Sequence, residues 1–213
     1  AYYREQLKHS PKAIDYLKRR GLTGEIAAKF GIGYAPDGWQ NLEAVFANYA
    51  DPELLTAGLV IENEQGRRYD RFRDRVMFPI INPKGEVIAF GGRVLDGGEP
   101  KYLNSPETPL FEKGRELFGL PQARAALRDT DTAIVVEGYM DVVALAQHGV
   151  GNALATLGTA TTPVHVQKLL RQVDRIVFCF DGDNAGRKAA WRALENSLEA
   201  LPDQKIIGFV FLP

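Results

Sequence analysis

The stretch Ile134-Val135-Val136-Glu137-Gly138-Tyr139-Met140-Asp141 constrains the fold more than any other. Three β-branched apolar residues run into a carboxylate, a glycine follows, and a helical pattern opens at Asp141. That order predicts a buried parallel strand that ends in an acid and turns tightly into a helix. The pattern returns at Ile176-Val177-Phe178-Cys179-Phe180-Asp181-Gly182-Asp183, where an apolar strand again runs into carboxylates ahead of a helix. Two such strands side by side would place three acids at one edge of a sheet. In open parallel sheets that edge, outside the carboxyl ends of the strands, is where ligands bind.

The surrounding text supports a parallel sheet. From about residue 130 strand and helix alternate: 133–136, 141–148, 152–155, 162–172, 176–180, 184–200 and 205–211. This βαβ alternation predicts a mostly parallel sheet flanked by helices over 131–213. Residues 1–130 read differently, as an α+β subdomain. Ser10-Pro11 and Asp51-Pro52 are cap-then-proline helix starts, and Gly21 and Gly58 stand where helices end. Asn41 to Tyr49 has helical apolar spacing. Leu59-Val60-Ile61 opens a hairpin, and Val76–Ile81 and Glu86–Phe90 pair across the turn Asn82-Pro83-Lys84-Gly85. Gly91-Gly92-Arg93 reads as a flexible end to that strand. The fold expected is therefore α/β, in two parts divided at 130/131.

Composition limits the function classes. The chain of 213 residues carries a net charge of −1, so a nucleic-acid surface must be a local patch rather than a global charge. The one cysteine, Cys179, fits a reducing compartment and, mid-strand, a small core position. No apolar run of ~18 residues predicts a membrane span. The three histidines lie far apart without partner cysteines, which speaks against zinc in this chain. Neither a Gly-x-Ser-x-Gly elbow nor a Walker pattern is present.

The carboxylates admit several readings. Asp183-Asn184 opens a helix, so Asp183 can be an N-cap, but a cap explains neither Glu137 nor the doubled Asp181 and Asp183. A calcium loop starting at Asp181 fails at Ala185 and at Arg192, where a bidentate Glu is needed. A haloacid-dehalogenase-type phosphatase fails at Ala185 and leaves Glu137 idle. Like charges this close repel by about 4 kcal/mol per pair at 4 Å and an effective dielectric of about 20. Water at an exposed edge offsets that repulsion, or a hard divalent cation that also accepts phosphate oxygens does so. Upstream, Arg67 to Arg75 holds five arginines broken by Asp70 and Asp74, which also fits a solvated, self-neutralising face. Arg93, Lys101 and Lys113, expected in loops with Tyr102 and Asn104, set cations beside a ring and an amide. That combination suits a nucleotide or a single strand.

Glu137-Gly138-Tyr139-Met140-Asp141 followed by Asp181-Gly182-Asp183 resembles the Toprim domain of primases, topoisomerases and some nucleases. Three further strings resemble the bacterial replicative (DnaG-type) primases in the same order: Arg73-Asp74-Arg75-Val76-Met77-Phe78-Pro79-Ile80, Ala89-Phe90-Gly91-Gly92-Arg93, and Pro100-Lys101-Tyr102-Leu103-Asn104-Ser105-Pro106-Glu107-Thr108. The resemblance implies the RNA polymerase core of a primase, which makes RNA primers on single-stranded DNA by metal-dependent nucleotidyl transfer. It implies that Glu137, Asp181 and Asp183 bind catalytic Mg²⁺ or Mn²⁺ and that Asp141 lines the same site. It implies that Arg93, Lys101, Tyr102, Asn104 and Lys113 form a basic ridge for ribonucleoside triphosphates or nucleic acid, where guanosine tetraphosphate-type nucleotides compete. A zinc-binding module is expected before Ala1, and a further acidic motif, a helical subdomain and a module for the replicative helicase after Pro213. The chain thus reads as a piece of a longer bacterial, cytoplasmic protein that works at the replication fork, expected as a monomer. Another Toprim enzyme (topoisomerase or nuclease) and a non-catalytic nucleotide- or DNA-binding module remain the rival readings.

Overall fold

The computed structural model describes residues 1–213 and divides them into two compact units. The first comprises Ala1–Ile80 and Val87–Phe111; the second comprises Ile81–Glu86 and Glu112–Pro213.

The first unit begins with three short helices, α1 (Tyr2–Lys8), α2 (Pro11–Arg19) and α3 (Gly24–Lys29). The Ser10 and Thr23 side chains accept the Ala13 and Ile26 N–H at 3.3 Å, supplying the caps that α2 and α3 need. Strand β1 (Gly33–Ala35), helix α4 (Pro52–Thr56) and strands β2 (Val60–Glu62), β3 (Arg68–Asp70), β4 (Arg75–Ile81), β5 (Val87–Val94) and β6 (Tyr102–Asn104) follow. β1, β4, β5 and β6 form one sheet in that order, and β2 and β3 form the expected hairpin.

Two expectations fail in this unit. Asn41–Tyr49 is not a helix; only Asn41–Ala44 turn, as a short 3₁₀ segment. Phe46 and Tyr49 are instead drawn onto a cluster with Tyr3, Leu42 and Phe72, and the Tyr49 hydroxyl donates to the buried Asp70 at 2.8 Å. Packing and a buried polar bond outweigh helical spacing here. Gly91-Gly92-Arg93 is not a flexible strand end either. It is the middle of β5, paired to β6 with Gly91 opposite Asn104 and Arg93 opposite Tyr102. Gly92 is required because a Cβ there would stand 2.9 Å from the Phe72 ring and 3.1 Å from Arg75 Cδ.

The second unit carries α5 (Leu120–Thr130), β7 (Thr132–Val136), α6 (Tyr139–Gln147), β8 (Ala153–Ala155), α7 (Pro163–Leu170), β9 (Arg175–Asp181), α8 (Asn184–Leu198) and β10 (Ile206–Leu212). Its sheet has the order β10-β9-β7-β8, with all three pairings parallel. On one face Ile176, Phe178 and Phe180 alternate inward and share a core with residues of α5, α7 and α8. Phe178 stacks on Phe180 and on Phe209 of β10, with centroids 6.1 and 5.4 Å apart. The opposite face, which carries Cys179, meets α6. Phe118 adds an antiparallel bridge to Ala155 at the β8 edge.

A division at 130/131 falls between α5 and β7. Packing divides the chain earlier, at Phe111/Glu112, since α5 lays Leu120, Ala123 and Leu127 into the core of the parallel sheet.

Candidate functional site

Strands β7 and β9 are neighbours, so Glu137 and Asp181 stand side by side at the carboxyl edge of the sheet. The Asp181 backbone N–H donates to Glu137 Oε1 at 3.0 Å, and both side chains face solvent. Asp141 joins them from the first turn of α6. The three acids line one cleft of about 360 Å³ with Val136, Ala144, Leu145, His148, Cys179 and Leu212. No Lys or Arg is in that lining. Burial pushes the Cys179 thiol up, and Asp181, Asp141 and Glu137 add to the effect in that order. Cys179 is thus half-buried and faces the acids, not packed in the core as its sequence position implied.

Asp183 is placed differently. It does not line the cleft with Glu137 and Asp181; it is the N-cap of α8, and its Oδ1 accepts the Gly186 N–H at 2.7 Å. The plain helix-cap reading of Asp183 is therefore correct as far as one of its oxygens goes. The turn is tight. A Cβ at Gly186 would stand 2.0 Å from the Asp181 carbonyl oxygen, and one at Gly182 would stand 2.4 Å from that of Leu212.

As the side chains stand, no three His, Cys, Asp or Glu residues are grouped closely enough to grip one ion. The donor set still fits a hard divalent cation. It consists of carboxylate oxygens in a cleft lined by no Lys or Arg, and hard oxygen donors of this kind are what Mg²⁺ accepts. Glu137 also borders a second cleft of about 220 Å³, with Thr156, Gly158, Thr159, Thr161 and Arg192.

In the first unit Arg93, Tyr102 and Asn104 sit on strands rather than loops, while Lys101 lies in the loop ahead of β6, as expected. Arg93 and Tyr102 pair across β5 and β6, and Arg93 Nη1 donates to the Tyr102 hydroxyl. The guanidinium lies 5.0 Å from the Tyr102 centroid and 5.9 Å from that of Tyr16. It is buried, and its Nε–H has no partner. A buried orphan donor on a permanent cation is a standing request for an anion. The Nε–H of half-buried Arg71 is likewise unpartnered. Asn104 lies two residues from Tyr102 along β6, on the same face. Lys101 precedes β6 and is exposed.

Lys113 belongs to the second unit. Its carbonyl accepts from His165 Nε2 at 3.1 Å, while His165 Nδ1 accepts the Thr162 N–H at 3.2 Å in the capping box of α7. A carbonyl only accepts and an N–H only donates, so these two bonds fix His165 as the neutral Nε2–H tautomer. Burial holds its imidazole below the usual value, against the opposing pull of the Lys113 bond.

One cluster was not anticipated from the sequence. Arg73 lies 4.3 Å from the Trp39 ring and 5.1 Å from the Tyr69 ring, and the two rings meet edge to face at 5.4 Å. Trp39 and Tyr69 line a cleft of about 460 Å³ with Gln40, Asn63, Arg67 and Arg68. The signal available was a lone tryptophan in the turn Pro36-Asp37-Gly38-Trp39, which reads as exposed. The basic stretch is thus only partly self-neutralising: Arg68 pairs with Glu62 at 2.7 Å and Asp74 with Lys12 at 2.7 Å, while Arg73 lies against the rings and donates Nη1–H to the Asp70 carbonyl at 2.5 Å.

The parallel sheet with acids at its strand ends defines the class. Residues 131–207 match the Toprim domain, and residues 2–124 match the DNA primase catalytic core, N-terminal domain. The chain belongs to the family of DNA primase catalytic cores. It is 62% identical over 212 residues to the DNA primase of Neisseria meningitidis and 50% identical over 218 residues to that of Escherichia coli K12. All of this chain is covered, against 36% and 37% of those relatives, so the chain spans about a third of their length. A crystal structure of a DNA primase domain from Pseudomonas aeruginosa superposes with a TM-score of 0.93 at 59% identity, covering all of this chain and 68% of that one. A DnaG primase catalytic domain bound to ssDNA superposes at 0.91 with 50% identity, covering all of this chain and 70% of that one. No helix is long and apolar enough to cross a membrane.

Proposed function

We propose that this chain is the nucleotidyl-transfer core of a DNA primase, joining ribonucleotides on a single-stranded DNA template. The observation that carries the reading is the convergence of Glu137, Asp141 and Asp181 on one cation-free cleft at the carboxyl edge of a parallel sheet, in a chain of the primase family. Glu137, Asp181 and Asp183, with Asp141 in support, are the residues that would hold Mg²⁺ or Mn²⁺. Bound there, the ion supplies activation of a ribose 3′-hydroxyl and charge neutralisation at the α-phosphate it attacks. The chain's own part is positional. The Asp181 N–H fixes one Glu137 oxygen and leaves the other for the reacting groups.

Lys101 and the buried Arg93 donate to triphosphate or backbone oxygens, and Tyr102 and Asn104 offer a ring and an amide beside them; Lys113, in the second unit, is a further cation for the same class of ligand. The Trp39–Tyr69–Arg73 cluster supplies a stacking platform for a single strand. Ribonucleoside triphosphates, a replicative helicase and inhibitory guanosine tetraphosphate-type nucleotides are the partners this reading carries, and zinc belongs to a module outside this chain.

The deciding experiment gives a protein extended to the length of the relatives single-stranded DNA, Mg²⁺ and labelled ribonucleotides. Short RNA products are expected. Cleavage or relaxation of DNA in their place would assign another Toprim chemistry, and binding without products would assign a non-catalytic module.

A further inference from the structure

Helix α8 presents a stripe that no role above uses. Asn184, Arg187, Lys188, Trp191, Arg192 and Glu195 recur at three- and four-residue spacing and so share one helix face. Together they line an open cleft of about 490 Å³. Trp191 is 62% exposed, although an indole is among the costliest side chains to leave in water. Its Nε1–H donates to Glu195 at 2.9 Å, which sets the plane of the ring. Arg187, Lys188 and Arg192 are exposed and none is ion-paired. Arg187 lies 5.3 Å from the ring of Phe211, itself 41% exposed.

Three unpaired cations against one carboxylate, around an oriented and exposed ring, are complementary to a polyanion whose units carry flat faces. Duplex DNA offers the charge but keeps its bases stacked on one another; a single strand offers both. The stripe also connects to the acidic edge. Arg192 lines this cleft and the one that contains Glu137.

We infer that the Arg187–Lys188–Trp191–Arg192 face of α8 binds single-stranded DNA, with a base on Trp191 and backbone phosphates on the three cations. The inference rests on the proposed template-dependent function and adds a contact on the Toprim side of the site. A strand held by Arg192 passes beside Glu137, which orients the template at the edge where transfer takes place.

The chain has two tryptophans, so fluorotryptophan labelling gives two fluorine NMR signals, assigned with Trp39→Phe and Trp191→Phe. Titration with a thymidine dodecamer is expected to shift the Trp191 signal, and to do so less at higher salt. Arg187→Ala with Lys188→Ala is expected to weaken binding roughly tenfold. It should flatten the dependence of log affinity on log salt by about 1.4, at about 0.7 per lost single-strand contact. A Trp191 signal that stays fixed while the Trp39 signal moves overturns the α8 contact and leaves the proposed function standing. If neither signal moves, the single-strand reading itself fails. A uridine dodecamer that binds the α8 face more tightly than the thymidine one would overturn the template as its occupant. A Trp191 already shielded from iodide in the DNA-free, full-length protein would overturn it in favour of the chain's own downstream segment.

Discussion

The Asp181 N–H donates to Glu137 Oε1 at 3.0 Å, so the acid that ends one strand is the acceptor that secures the end of its neighbour. The bond ties two positions far apart in sequence at the one point where the proposed chemistry needs them together. It also means that charge and structure can be separated at Glu137 by a single substitution.

Glu137→Gln keeps a carbonyl acceptor for the Asp181 N–H while removing the negative charge. Primer synthesis should fall below detection, and the melting temperature should stay within what about 0.5 kcal/mol produces. Asp181→Asn should behave alike. Both are read by primer synthesis alongside thermal unfolding, and full activity in either variant would sink the assignment of these acids.

At Asp183 the same logic splits two roles. Asn caps a helix about as well as Asp, so Asp183→Asn should lower metal-dependent activity with little change in stability. Asp183→Ala should lose activity and in addition about 1 kcal/mol from the cap of α8. Equal loss of stability in both variants would show that the charge, not the cap, holds the turn.

Lys101 and Arg93 should separate in the opposite sense. Lys101 is exposed, so Lys101→Ala should weaken oligonucleotide or nucleotide binding, flatten its salt dependence by about 0.7, and leave stability alone. Arg93 is buried beside Tyr16 and Tyr102, so Arg93→Ala should weaken binding and also lower the melting temperature. Arg93→Lys should restore little of either, since an ammonium cannot reproduce the planar contact.

His165 predicts a pH dependence. Its folded pKa lies below the unfolded value of about 6.5, so on acidification the unfolded chain takes up the proton first. The stability it contributes is complete above about pH 6.5 and is lost as pH falls through that value towards the folded pKa. The melting temperature should therefore drop between about pH 7 and pH 5. His165→Gln keeps an acceptor for the Thr162 N–H, as in an ordinary capping box, and should flatten that slope. An unchanged slope in the variant would place the titration elsewhere.

The parallel half of the chain was legible because its signals are local and redundant: apolar runs, acids at their ends, and helices between them. Helix α5 carries no stop signal in the sequence, since it ends on Asp131 in the left-handed conformation where glycine is the usual mark. Strand β1 has three residues, too few for any period to show. Gly91 and Gly92 look like a break in sequence because the reason for Gly92, the Phe72 ring and Arg75 beside it, is visible only in three dimensions. The acids were legible as a group, but their division of labour was not. Nothing in Asp181-Gly182-Asp183 says that the first faces the cleft of Glu137 while the second is tied to the Gly186 N–H. Trp39 is silent in the sequence for a related reason: an isolated ring in a turn gains meaning only from Arg73 lying against it.

The contact between Gly186 and the Asp181 carbonyl makes the start of α8 a joint without slack. A side chain of any size would act as a wedge and pry the helix from the strand, so glycine is the only residue this joint tolerates. Asp183 caps the same turn through the Gly186 N–H, so a wedge at Gly186 would displace that carboxylate together with the helix.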